Sequence, residues 1–161
     1  MAAEQDGVDI ALAAYREDGV WQLEELADTA LIDVETLARG LRRFPGDSGA
    51  LALIALDEDA FMIVRVTGAT TRVMLSDVTA ADEFALARTA LELLGIPFAE
   101  EEDDPAPAGD LDIVGDLGLQ AMELGVLVDD LDLYTDEVLS DVAARLGFGP
   151  AFDDLAGLTN A

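Results

Sequence analysis

Residues 51–66 read LALIALDEDAFMIVRV, two continuous apolar runs, 51–56 and 61–66, split by Asp57-Glu58-Asp59. Short apolar runs bounded by turn residues suit central strands, and the acidic triplet suits the tight turn between them. The rest of the chain is assigned outward from this pair.

Upstream, residues 10–16 and 20–25 alternate loosely around Asp18-Gly19, a strong short-range signal for a β-hairpin. Asp33 is placed to cap a helix running to about residue 43, with Leu37 and Leu41 on one face and Phe44-Pro45-Gly46 as its stop. Downstream, Gly68 marks a turn and residues 72–76 alternate as a further strand. Thr79 is a good N-cap for a helix to Leu94, closed by Gly95 with Pro97 beyond. The order ββαβββα predicts an α+β fold: a five-stranded antiparallel sheet with two helices on one face. At the level of fold alone it is similar to profilin-like and roadblock/longin modules, a likeness that transfers no function.

A composition change at residues 99–109, AEEEDDPAPAG, marks a boundary, because five consecutive acids followed by Pro-Ala-Pro stay extended. The organisation expected is an α+β domain over 8–98, an acidic linker over 99–109, a helical region over 110–147 and a tail over 148–161. Within the helical region, residues 117–128 have only Gln120 and Glu123 as polar members. A helix from Leu119 to about Asp130, apolar on nearly every side, is expected to be buried or covered by a partner. Thr135, with Asp136 and Glu137 in its first turn, opens a last helix that Gly147 stops. Phe148, Phe152 and Leu155 of the tail are placed to dock back.

Charge is the strongest compositional signal. The 161 residues hold 35 acids against 8 basic residues, all arginine, for a net charge of −27. Residues 1–98 carry 18 acids against 7 arginines, net −11; residues 99–161 carry 17 acids against Arg145 alone, net −16. Such a surface repels nucleic acid and anionic membrane and attracts basic proteins; it also simply keeps a protein soluble. The first ten residues, MAAEQDGVDI, lack the basic and apolar regions of a secretory leader, and no apolar run reaches the roughly 18 residues of a membrane span. A cytoplasmic protein is expected.

The chain has no His, Cys or Lys. Ser-His-Asp and Cys-His catalysis, Schiff-base chemistry, phosphate-loop lysines and zinc sites of the usual N/S type are therefore excluded. Carboxylate or hard-metal chemistry is what remains, and no cofactor is implied. Asp129, Asp130, Asp132 and Asp136 form the best hard-cation candidate. They lack the turn glycine and twelfth-position Glu of an EF-hand, which favours a solvated helix end. Arg39, Arg42 and Arg43 cluster at the end of the first helix, where complementing the helix dipole explains them better than RNA contact does. Residues 116–124, DLGLQAMEL, are similar to the acyl-carrier signature. Ala121 stands where the serine bearing the prosthetic arm belongs, so a carrier role is rejected.

Residues 14–21 (AYREDGVW), Arg43-Phe44-Pro45-Gly46 through Arg65-Val66, 108–113 (AGDLDI), Met122-Glu123-Leu124, 129–134 (DDLDLY) and 145–149 (RLGFG) together carry a likeness to a known family. In these stretches the chain resembles the actinobacterial tRNA adenosine deaminase-associated proteins. The resemblance implies association with the enzyme that converts tRNA adenosine to inosine, and brings no assigned functional residues with it. A zinc deaminase needs His-x-Glu and Pro-Cys-x-x-Cys, so this chain can accompany such an enzyme and cannot be one. The leading expectation is a non-catalytic acidic protein that docks on the basic, tRNA-binding face of the deaminase, without touching nucleic acid itself. Its contact residues are expected at Leu117, Leu119, Met122, Leu124 and Leu127, rimmed by Asp129, Asp130 and Asp132. The alternative is a homodimeric scaffold using a sheet edge or the first helix.

Overall fold

The structure, a computed structural model, describes residues 10–26, 31–44, 49–56, 60–68, 70–78, 84–95, 107–129 and 134–156. The Asp57–Asp59 turn, the Pro45-Gly46 stop, the Thr79 cap, Pro97, the acids at 100–104, Asp130 and Asp132 lie outside the described residues.

The fold is α+β with an antiparallel sheet. Strands β1 (Ile10–Glu17) and β2 (Val20–Glu25) form the expected hairpin, with Glu17 opposite Val20. Its two turn residues both have left-handed backbones, Asp18 at φ 53° and Gly19 at φ 80°. That pairing gives the hairpin twist that Asp-Gly favours. Strands β3 (Ala50–Ala55), β4 (Phe61–Thr67) and β5 (Thr70–Leu75) follow the first helix. The sheet order is β2-β1-β3-β4-β5-β6, so the two apolar runs do become its central strands.

The sheet has six strands rather than five. β6 is only Ala108–Gly109, paired with Leu75 and Met74 at the end of the stretch expected as a linker. Two residues carry no periodic signal. Gly109 makes the approach possible: its φ is 91°, and a Cβ there would overlap the carbonyl oxygen of Val73. The next residue, Asp110, donates its backbone N–H to that same oxygen at 3.0 Å.

Alternate residues of the central strands feed two cores. On one face Ala13, Tyr15, Ile54, Met62 and Val64 pack against α1 (Val34–Leu41) and α2 (Ala85–Leu94). Asp33 caps α1, its Oδ1 accepting from the Thr36 N–H at 2.7 Å, and that bond holds its carboxyl below the usual range. On the other face Leu12, Leu51, Leu53, Ile63 and Met74 pack against residues 111–156. That second layer holds α3 (Ala121–Asp129), α4 (Thr135–Leu146) and α5 (Gly149–Ala156). Strands apolar on both faces need this double cover. The segment read as a tail thus contributes a helix, with Phe148 and Phe152 buried.

Trp21 of the edge strand β2 ties down the end of α4. Its Nε1–H donates to the Leu146 carbonyl at 3.1 Å, and its ring lies against Phe148 with centroids 4.6 Å apart. Trp21→Phe keeps an aromatic ring and removes the donor. It is expected to lower stability by about 1 kcal/mol in urea titrations, the worth of one hydrogen bond.

Candidate partner-binding face

The loop leading into α3 is held by two arginines that sit directly opposite each other, Arg65 on β4 and Arg72 on β5. Like charges in that position repel unless each is answered. Arg65 is 3% exposed. It donates to both carboxylate oxygens of Asp116, at 2.5 and 2.9 Å, and to the Ile113 carbonyl at 2.9 Å. Arg72 answers Asp110, its Nε donating to Oδ2 at 2.7 Å, and reaches the Asp112 carbonyl at 3.1 Å. Asp110 in turn accepts from the Asp112 N–H at 2.9 Å. The hydrogen bonds from Arg65 hold the Asp116 carboxyl below its ordinary range, against a smaller opposing effect of burial. Arg65 belongs to a run whose remaining members are apolar, and its role was not legible there. Among the described residues no buried side-chain nitrogen or oxygen lacks a hydrogen-bond partner.

This anchored loop sets the orientation of α3. Gln120 precedes the helix, its N–H donating to the Glu123 carboxylate at 3.2 Å. Leu119, Leu124 and Leu127 point into the second core, and Leu117 is half-buried against it. Met122 and Val126, one helical turn apart, point outward at 83% and 65% exposed. The helix is therefore one-sided, not buried all round, and of the leucines expected as contacts three are core. Val126 was missed. With apolar residues on nearly every side of α3, the sequence offers no polar face to show which residues look outward.

The layer that carries the exposed pair also carries acids. Glu123 lies between Met122 and Val126 and meets Arg145 at 3.3 Å. Arg145 is also held by Asp141 at 2.9 Å, and that hydrogen bond keeps its guanidinium firmly charged. Asp112, Asp116 and Glu137 are exposed on the same layer, and Asp129 closes α3. Asp130 and Asp132 lie outside the described residues; of the expected rim and cation candidates, Asp129 ends α3 and Asp136 lies in the first turn of α4. What the layer presents is an exposed apolar pair on an acidic surface.

A family profile described as "Rv3753c-like tRNA adenosine deaminase-associated protein" matches residues 9–149. The chain belongs to this family. It is 35% identical over 146 residues to Protein Rv3753c of Mycobacterium tuberculosis, covering 89% of this chain and 83% of that protein. No solved structure matches. The family match takes in all six strands, Arg65, Arg72, Asp110, Asp116 and the whole of α3 and α4, and stops at the first residue of α5. The anchored loop and the outward pair thus fall inside the part of the chain that family members share. Among the described residues no helix is long and apolar enough to cross a membrane.

Proposed function

We propose that this protein is a non-catalytic partner of the tRNA-editing adenosine deaminase, acting in the cytoplasm. In this reading the outer face of α3 docks on the basic surface by which that enzyme holds tRNA. The family description carries the proposal. The chain's own chemistry supports it: without His or Cys it cannot itself carry out zinc-dependent deamination. An enzyme that binds tRNA offers cations to phosphate, and a chain of net −27 is attracted to the same cations. Charge would speed encounter and select the partner, while Met122 and Val126 supply the lasting contact.

Stopped-flow association of the purified proteins tests this. Raising salt from about 0.05 to about 0.5 M shortens the screening length to a few Å, and association should slow by roughly tenfold or more while dissociation changes less. Neutralising Glu100, Glu101, Glu102, Asp103 and Asp104 together should reproduce part of that slowing. Added tRNA should displace the protein. Association rates indifferent to salt would reject electrostatic docking, and a stable ternary complex with tRNA would reject competition for one face.

A further inference from the structure

The face of the molecule opposite α3 has a different electrical character. Four of the eight arginines lie on or just after its two helices: Arg39, Arg42 and Arg43 with α1, Arg88 with α2. Asp33 and Glu35 offset two of the α1 arginines and Glu92 offsets Arg88, so residues 33–43 carry a net +1, α2 a net zero and the rest of the chain a net −28. Two copies of a strongly acidic protein repel each other wherever acid meets acid. This balanced layer is where a second copy meets the least repulsion.

We propose that the outer face of α1 pairs with the same face of a second copy of this chain, helix antiparallel to helix. The first reason is charge order along α1. Asp33 and Glu35 stand at its start and Arg39, Arg42 and Arg43 at its end. A two-fold axis near Ala38 sets the arginine end of each helix against the acidic end of the other, the self-complementarity an isologous contact requires.

Gly40 supplies an independent reason. It sits inside α1, where glycine destabilises a helix relative to alanine. Its backbone is not left-handed, and a Cβ built there meets nothing within 4 Å. Nothing described within the molecule requires its missing side chain, whereas close approach of another helix does. The same two-fold axis lays Thr36 of one helix over Gly40 of the other. At the start of α1, Ile32 is 53% exposed. Beside α1, a groove of about 520 Å³ runs toward α2, lined mainly by polar and charged side chains, among them Asp33, Glu35, Arg42 and Glu92.

This pairing stands apart from the deaminase reading, since α1 and α3 cover opposite faces of the sheet. Sedimentation equilibrium of the full chain, from about 1 to about 100 µM, tests it, because self-association depends on protomer concentration. A concentration-dependent dimer is expected. Gly40→Gln should weaken it at least about tenfold, while the melting temperature of the monomer stays level or rises, because the new side chain points into open space. Glu35→Arg and Arg43→Glu should each weaken the dimer, and the double exchange should restore it by returning opposite charges to each end. A chain monomeric throughout, or a dimer indifferent to Gly40→Gln and to the charge exchange, overturns the proposal.

Discussion

Leu124→Asp is expected to destabilise the protein by roughly 4 kcal/mol or more, while Met122→Asp, two residues away, leaves its melting temperature within about a degree or two of the parent. Leu124 is fully buried between α3 and the sheet, so a carboxylate there loses its water without gaining a partner. Met122 is 83% exposed, and a charge at that position stays hydrated. Binding should show the reverse pattern. Met122→Asp combined with Val126→Asp should leave the fold intact and weaken deaminase binding at least about tenfold, since a contact centre of two apolar side chains becomes two desolvated acids. Urea titration measures the first effect and co-purification with the deaminase the second. Unchanged stability in Leu124→Asp would remove α3 from the core. Unchanged binding in the folded double variant would move the docking face elsewhere.

The contrast between these neighbouring residues marks where sequence stops being informative. The Asp18-Gly19 hairpin and the Asp33 cap are legible because each depends on residues close in sequence, and the central position of β3 and β4 because their runs are apolar without alternation. The orientation of α3 depends on something distant. Its direction is set by a loop pinned to Arg65 and Arg72, some 40 to 50 positions upstream. β6 escapes because two residues suffice for pairing once Gly109 permits close approach. Arg65 is the least legible. A single arginine in an apolar run looks like an interruption, and only the fold shows that it faces the layer where Asp116 waits. The expected sheet had helices on one face, whereas β3 is buried on both faces along its whole length. The helices that cover its second side come from beyond the acidic break.

The pairing of Arg65 with Asp116 should respond asymmetrically to removal of its two members. The arginine is buried, whereas the carboxylate is 60% exposed. Asp116→Ala takes the carboxylate from a guanidinium at 3% exposure that still donates to the Ile113 carbonyl, and is expected to cost about 1–3 kcal/mol. The exposure of Asp116 keeps the figure below that for a fully buried pair, because water can replace part of the lost contact. Arg65→Met replaces the cation with an apolar side chain among apolar neighbours and leaves a carboxylate that water already reaches. It should cost less, as buried charges exchanged for well-packed hydrophobes often do. Acidity gives an independent check. The folded-state pKa of Asp116 lies below its unfolded value, so its contribution is fully present above about pH 4 and fades as pH falls through the folded pKa. The stability gap between the parent chain and Asp116→Ala should therefore be widest near neutral pH and shrink steadily in acid. A gap that grows on acidification, or an Arg65→Met variant less stable than Asp116→Ala, would show that the buried arginine serves the fold through something other than this carboxylate.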